Sequence, residues 1–212
     1  MGKNNIIISI GRQFGAGGRT IGKALADALG FDYYDNELIT VTAKEYGLDP
    51  DFFKKADEKS DKNFFLQQIE EYISGGFFSH NLLSNDQLFK MQSDTIRRLA
   101  EEKPCVIVGR CSDYVLRDNP FCISIFLHSS EEDRIQRIKK RMEGESDEKI
   151  LEMMKLADKR RANYYNFYSN KSWGKSSTYT LSIDVSALGE RQTLDFLLDF
   201  IRQKAKLLGV EL

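Results

Sequence analysis

A glycine-rich segment between an apolar run and a helix-like stretch most constrains what this chain can fold into. Residues 11–20 read GRQFGAGGRT and directly follow the apolar residues 6–10. Glycines allow consecutive backbone N–H groups to point into one concavity, and the first turn of the following helix adds partial positive charge. The segment therefore predicts a phosphate-binding loop after a first β-strand. A glycine-rich strand-to-helix turn without a ligand is the alternative interpretation.

The predicted loop departs from the usual phosphate-binding motif, G-x-x-x-x-G-K-[ST]. With Gly18 taken as the last glycine, Gln13 takes the place of the first glycine and Arg19 replaces the lysine. Arg19 is accordingly predicted to lie over the phosphates, and Thr20 to reach a magnesium ion. The residues predicted to bind the nucleotide are Arg12, Gly15, Ala16, Gly17, Gly18, Arg19 and Thr20.

The composition predicts a cytoplasmic protein that does not bind nucleic acid or membranes. The chain has 212 residues and a net charge of −1, so any anion site must be local. No apolar run approaches the roughly 18 residues of a membrane span. Its 3 cysteines and 2 histidines show no C-x-x-C spacing, which argues against disulfide scaffolds and zinc sites.

Short β-rich runs alternate with helix-compatible stretches along most of the chain, which predicts an α/β fold with a parallel sheet. The segment at 36–102 has mostly helical periodicity, broken near residues 75–79, and is interpreted as an insertion covering one end of the sheet. A last helix is expected over residues 191–208. The predicted strands lie at residues 6–10, 31–34, 105–108, 122–127 and 179–183.

Two charged residues follow predicted strands at the edge where open parallel sheets bind ligands. Arg110, just past the third strand, is the candidate for holding an acceptor phosphate; pairing with Asp113 or Asp118 at the surface is the alternative. Asp35, after the second strand, could bind substrate, orient a water on magnesium or accept a proton. As a cap of the next helix, Asp35 would look the same in sequence.

Two basic segments flank a short hinge at Gly144, which suggests two helices that form a lid over phosphates. Arg160 is the preferred candidate for contact with the transferred group. Solvated helix faces are the alternative for each basic residue. The basic residues are Arg134, Arg137, Lys140, Arg141, Lys159, Arg160 and Arg161.

Several aromatic residues follow the second basic segment. They could stack on a nucleotide base, although core packing is the favoured interpretation. They are Tyr164, Tyr165, Phe167, Tyr168 and Trp173.

In the order and spacing of these motifs, the chain resembles the cytidylate kinase-like family, a divergent branch of the P-loop nucleoside monophosphate kinases, over nearly its whole length. The resemblance is carried by residues 9–19, 33–35, 106–111, 134–135, 158–165, 173–174 and 183–186. It implies a three-layer P-loop kinase fold, with a five-stranded parallel sheet and helices on both faces. It further implies a single domain with its core at 1–35 and 103–212, an acceptor-binding insertion at about 36–102 and a lid at about 134–161.

The same resemblance implies transfer of a phosphoryl group from ATP or GTP, with magnesium, to a nucleoside monophosphate or another small acceptor. The catalytic residues predicted for this transfer are Arg19, Asp35, Arg110 and Arg160. Authentic members of the cytidylate kinases read Gly-Lys-Gly-Thr where this chain has residues 17–20, so their lysine aligns with Gly18. They read Asp-Gly-Arg-Asp where this chain has residues 108–111, which keeps the arginine and lacks both acids, so Asp35 or Asp113 would have to substitute.

These departures leave three functions open. The first is an active nucleotide or small-molecule kinase. The second is a nucleotide-binding sensor or regulatory module without catalysis, and the third is a structural or protein-interaction role. Neither the acceptor nor the oligomeric state follows from the residues.

Overall fold

A computed structural model describes residues 4–35, 38, 41, 42, 45, 46 and 85–212. These residues contain a 5-stranded sheet and the helices that pack on it. The strands are β1 (Ile7–Arg12), β2 (Asp32–Tyr34), β3 (Cys105–Val108), β4 (Cys122–His128) and β5 (Leu181–Asp184). The helices are α1 (Gly18–Leu29), α2 (Asn85–Glu102), α3 (Ser112–Val115), α4 (Glu131–Lys139), α5 (Asp147–Ser169) and α6 (Val185–Leu207), with a 3₁₀ turn at Ser176–Thr178.

All strand pairs in the sheet are parallel, in the order β2-β3-β1-β4-β5. In the central register, Ile10 of β1 lies opposite Val108 of β3 and Ile125 of β4. Because parallel strands end at a common edge, the residues that follow β1, β2 and β3 meet there. The topology therefore places the glycine loop, Asp35 and Arg110 on one edge of the sheet.

Helices cover both faces of the sheet and bury its apolar residues, giving three layers. On one face, α1 and α6 contribute Ile21, Leu25, Leu197 and Ile201 to the core, all of them at most 1% exposed. On the other face, α2 and α3 pack on the opposite side of β1 and β3. Strands covered on both faces are nearly continuously apolar, which is why the short Ile- and Val-rich runs predicted them correctly.

Glycines define both ends of α1 and its approach to the sheet. Gly17 and Gly30 cap the helix with φ values of 80° and 68°, a left-handed conformation that suits glycine. Gly22 faces the sheet, and a Cβ there would lie 3.0 Å from Cγ2 of Val108 and 3.2 Å from Cδ1 of Ile10. The hydrogen atom of Gly22 is what lets α1 lie this close to the strands.

The described residues confirm the predicted α/β fold class, and all five predicted strands appear within two residues of their expected bounds. The last helix begins earlier than expected, at Val185, and is interrupted at Gly189, whose φ of 77° and ψ of 166° are not helical. Most of the predicted insertion, including the break at residues 75–79, lies outside the described residues. Its last part, residues 85–102, forms α2. The domain limits stay a prediction.

No helix among the described residues combines the length and apolar character needed to cross a bilayer.

Gly22→Val is expected to lower the free energy of unfolding by about 1–3 kcal/mol, because the branched side chain must displace α1 from Val108 and Ile10. Urea unfolding measures the change. Ala28→Val is the matched control, since Ala28 is exposed on the same helix and its replacement should cost only about 0.5 kcal/mol of helix propensity. Equal losses at both positions would contradict the close approach described for Gly22.

Candidate phosphate-binding site

The loop between β1 and α1 has the backbone conformation of an anion-binding turn. Gly15 and Gly17 both have φ values of 80°, which turn the chain sharply before the helix. The first N–H groups of α1, at Gly18, Arg19 and Thr20, have no carbonyl four residues earlier within the helix. Such groups and the helix dipole together attract a phosphate. The loop can therefore present several donors to one anion.

Asp158 of α5 and Arg134 of α4 clamp the loop at Phe14. The Phe14 N–H donates to Oδ1 of Asp158 at 2.7 Å, and the Phe14 carbonyl accepts from Nε of Arg134 at 2.7 Å. Arg134 Nη2 also donates to Oδ2 of Asp158 at 2.5 Å, and the Arg134 and Asp158 side chains are only 8% and 16% exposed. Both backbone polar groups of one loop residue are thus satisfied by a largely buried ion pair.

Two further arginines bind loop carbonyls. Arg137 Nη1 donates to the Gly15 carbonyl at 3.0 Å, and Arg161 Nη1 donates to the Arg12 carbonyl at 3.1 Å. A carbonyl that binds an arginine behind the loop does not point its negative end into the phosphate site. Basic residues of α4 and α5 therefore shape the loop, and the alternative of a solvated helix face is wrong for Arg134, Arg137 and Arg161.

An apolar contact joins the loop to the two basic helices. Phe14 packs on a cluster formed by Ile138, Met142, Ile150 and Met154. Gly15 lies so close to α4 that a Cβ there would be 2.9 Å from Cδ1 of Ile138. The helices expected to form a lid are thus packed directly against the loop.

Asp35 lies at the end of β2 between two arginines of the loop and α1. Its side chain is 5% exposed, and its Oδ2 accepts from Nε of Arg19 at 2.7 Å while Oδ1 lies 3.5 Å from Nη2 of Arg12. The guanidinium groups offset the cost of burying this carboxylate. Because Asp35 binds arginines, its first role is to position cations.

Arg110 follows β3 in a strained turn. Gly109, Arg110 and Cys111 have consecutive φ values of 80°, 59° and 53°, and only the first is a glycine. Left-handed residues with a Cβ cost about 1–2 kcal/mol each, and such strain concentrates at functional sites. The turn keeps the half-buried Arg110 at the same sheet edge as the loop.

The carboxylates considered as partners for Arg110 bind elsewhere. Asp113 accepts a hydrogen bond of 2.6 Å from the Tyr165 hydroxyl, and Asp118 lies 3.7 Å from Nε of Arg117. Burial raises the pKa of Asp113 above its ordinary value, although the Tyr165 hydroxyl opposes the shift. Asp113 is therefore bound to Tyr165 in this structure, and its role as a substitute for a missing acid stays a prediction.

Side chains from the turn after α4 and from α6 contact the end of the loop at Gly17 and Thr20. The Thr20 hydroxyl accepts from Nη2 of Arg141 at 3.2 Å, so it faces a cation here. A Cβ on Gly17 would lie 2.7 Å from Oε1 of Glu190, which also pairs with Nε of Arg137 at 3.0 Å. The magnesium role of Thr20 stays a prediction.

The residues present fit a magnesium ion that arrives with a nucleotide. Mg²⁺ at kinase sites takes one or two protein carboxylates, several waters and the substrate phosphates. Asp35 is a carboxylate at the correct edge, and a direct protein cage is not required. Among the described residues no group of three or more His, Cys, Asp or Glu side chains could hold a metal alone.

Most of the aromatic residues after the basic segment pack in the core, as predicted. Tyr165 and Tyr179 are buried with Phe126, and Trp173 meets the Phe126 ring edge-on with centroids 5.2 Å apart. Tyr164 and Tyr168 pack against the same cluster. Phe167 is the exception, since it is 74% exposed and contributes little to the core.

A cavity of about 490 Å³ opens beside the loop at Gln13. Its wall includes His128, Ser129 and Trp173, and Gln13 Oε1 accepts from the Ser129 N–H at 3.2 Å. Sequence reasoning assigned no role to His128, Ser129 or Glu190, and it placed Asp158 only among the residues that carry the family resemblance. The spacing of Asp158 and Arg161, one helical turn apart, is the one signal that could have indicated a shared face.

Arg160 lies on α5 and its Nη1 atom is buried. Its contact with a transferred phosphoryl group stays a prediction.

The clamp at Phe14 is expected to be cooperative. Arg134→Ala and Asp158→Ala should each lower the free energy of unfolding by about 3–5 kcal/mol, because each leaves a buried charge unpaired. The double variant should lose clearly less than the sum, as measured by urea unfolding. Lys149→Ala, which removes the pair between this exposed residue of α5 and Glu145 just before the helix, is the control and should cost under about 1 kcal/mol. Additive losses would contradict the clamp.

Comparison with known proteins places this chain in a family. The crystal structure of an uncharacterized protein from Eubacterium ventriosum ATCC 27560 matches with a TM-score of 0.70 and 30% identity, over 93% of this chain and 98% of that one. A gluconokinase from Sinorhizobium meliloti 1021 matches with a TM-score of 0.56 and 16% identity, over 98% and 97% of the two chains.

A shikimate kinase from Bacteroides thetaiotaomicron has a TM-score of 0.51 and 16% identity, over 97% and 99% of the chains, and like the gluconokinase it shows a shared fold. No functionally curated protein matches the chain. A family model described as the cytidylate kinase-like family matches residues 7–187. The chain therefore belongs to the cytidylate kinase-like family.

Proposed function

We propose that this protein transfers the γ-phosphoryl group of ATP or GTP to a small acceptor, with a nucleoside monophosphate as the preferred class. The observation that carries the proposal is the loop after β1, whose carbonyls bind arginines while its helix N-terminus faces the sheet edge that holds Arg110. Phosphoryl transfer depends mainly on positioning and on neutralising charge, and this edge supplies both.

Donor and acceptor are assigned to different parts of the edge. The backbone of Gly15, Ala16, Gly17, Gly18 and Thr20 cradles the donor phosphates. Arg110 holds the acceptor, and Arg160 contacts the phosphoryl group during its transfer. Magnesium, when bound with the nucleotide, screens the charge of the donor phosphates.

Transfer requires an acceptor oxygen to form a bond to the γ-phosphorus while the bond from that phosphorus to the bridging oxygen breaks. The bond electrons leave with the nucleoside diphosphate. The resulting charge on the equatorial oxygens is spread toward arginine donors, whose side chains are charged at any working pH. Phe14 packs on the apolar cluster of the two basic helices, which holds this part of the loop against them.

The environment of Asp35 favours a phosphate as acceptor over an alcohol. An alcohol must lose its proton during attack, whereas a phosphate oxygen needs no base. The two carboxylate oxygens of Asp35 already face Arg12 and Arg19 at 3.5 and 2.7 Å, so neither is left to contact an acceptor hydroxyl. The gluconokinase and shikimate kinase named above are, by their names, kinases of gluconate and shikimate, two hydroxy acids, so the hydroxyl groups of such acids are the competing acceptor class.

An inactive nucleotide-binding module is the second candidate function. It is favoured by Gly18, which aligns with the lysine of cytidylate kinases. In the usual motif that lysine reaches the transferred phosphate. Binding of a nucleotide without transfer would distinguish this function from a kinase.

The proposed activity is tested by measuring formation of ADP from magnesium ATP in the presence of nucleoside monophosphates, and separately of small polyols and sugar acids. Stimulation by a monophosphate well above the rate with ATP alone is expected. GTP in place of ATP determines the donor base. A magnesium-dependent thermal shift with ATP, but no stimulation by any acceptor, would instead support the inactive module.

Arg110 gives a prediction in which stability and activity change in opposite directions. Arg110→Gly relieves the left-handed φ and should raise the free energy of unfolding by about 1 kcal/mol, while the KM for the acceptor rises at least about 10-fold. Arg110→Ala is the matched control, since it removes the guanidinium but keeps the strain, and should lose the acceptor without the gain in stability. Unchanged kinetics in both variants would exclude Arg110 from acceptor binding.

A further inference from the structure

The loop can be aligned with G-x-x-x-x-G-K-[ST] in two registers, and the structure distinguishes them. In one register Gly18 is the last glycine; in the other it is Gly17. Gly17 is the left-handed residue that caps α1, with φ 80° and ψ 6°, and Gly18 is the first helical residue. The second register therefore describes this loop. In it, Arg12 stands where the motif has its first glycine, and Gly18 stands where it has lysine.

The Arg12 side chain fills the space that a residue at position 18 would need. A Cβ on Gly18 would lie 2.6 Å from Cγ and 2.8 Å from Cβ of Arg12, closer than real side chains approach. A lysine at position 18 and Arg12 in its present conformation are therefore mutually exclusive. The two positions act as a pair, six residues apart in the chain.

The guanidinium of Arg12 reaches the centre of the sheet edge. It lies on Gly109, where a Cβ would overlap Nη1, and its Nη2 is 3.5 Å from Oδ1 of Asp35. The side chain is 22% exposed, whereas that of Arg19 is 60% exposed. Arg12 thus lies between the loop that receives the donor and the turn that carries Arg110.

We propose that Arg12 takes the role of the missing loop lysine and binds the β- and γ-phosphates of the donor. Compared with the usual motif, the glycine and the basic residue stand in reversed positions, with Arg12 at the first glycine and Gly18 at the lysine. This inference rests on the proposed function and names the cation that acts at its donor site. It also changes the role expected for Arg19, which positions Asp35 and through it Arg12.

Arginine suits this placement. It comes from the end of a strand, so its longer side chain is needed to cross to the phosphates that a lysine on the helix would reach directly. Its planar fork can hold a carboxylate or phosphate oxygen through more than one donor. Asp35 keeps the guanidinium in place before the nucleotide arrives.

Exchanging the two residues tests the proposal. Arg12→Ala should weaken binding of magnesium ATP about 10- to 100-fold, because a charge-assisted contact to phosphate is lost. Gly18→Lys alone should also weaken binding, since the lysine collides with Arg12. The double variant Arg12→Gly/Gly18→Lys restores the first glycine and the lysine of the motif, with Arg19 still at its Ser/Thr position, and should recover most of the affinity. Titration calorimetry with magnesium ATP measures all of them.

Two controls keep the result specific. Arg117→Ala removes an arginine before β4, away from the loop, and should not change the affinity for magnesium ATP. Gly18→Ala should lower the midpoint of urea unfolding in the native background and much less in an Arg12→Gly background, which lacks both the Cβ and the Cγ of Arg12. That stability cycle reports the packing of Arg12 on Gly18 without any ligand.

The outcomes separate this inference from the proposed function. If the double variant binds no better than Gly18→Lys, or if Arg12→Ala binds as tightly as the native protein, Arg12 does not take the lysine's role. Native protein that binds no magnesium ATP would also overturn the inference. Binding that depends on Arg12, with no transfer to any acceptor, would support the inference and overturn the kinase proposal.

Discussion

The orientation of a few peptide groups in the loop after β1 is the constraint on which the rest of the site depends. A phosphate is attracted only where N–H groups face it and carbonyls face away. Here Arg134, Arg137 and Arg161 bind loop carbonyls from behind, and Asp158 accepts one loop N–H. The helices α4 and α5, which were predicted to form a lid, therefore also hold the backbone of the loop in its conformation.

The buried carboxylates near the sheet edge are each paired with arginine side chains. Asp35 and Asp158 are carboxylates buried at this site, and both bind arginines. Such pairs contribute little net stability, because desolvation offsets attraction, but they hold side chains in defined positions. The strained turn at Arg110 is a further cost, carried by the buried apolar strands around it.

Several features of the fold followed from local patterns. The strands were predictable because buried parallel strands are continuously apolar, and α1 was predictable from its apolar stripe and its terminal Gly30. Asp113 shows the limit of inferring a side chain's surroundings from its position after a strand. A carboxylate just after a strand suggests the ligand-binding edge, yet the short helix α3 turns it toward Tyr165, 52 residues away in the chain.

The sequence by itself determined the sheet, the loop and the residues that end the strands, because each depends on periodicity or on glycine within a short window. Only the tertiary structure decided where the arginine side chains near the loop lie. Arg12 and Arg19 are equally basic in sequence, and their difference lies in what surrounds them. The space above Gly18 receives Arg12, while Arg19 extends from the helix to Asp35. The direction of a side chain and the space around it depend on packing between elements that are distant in the chain. A local sequence pattern therefore cannot predict them.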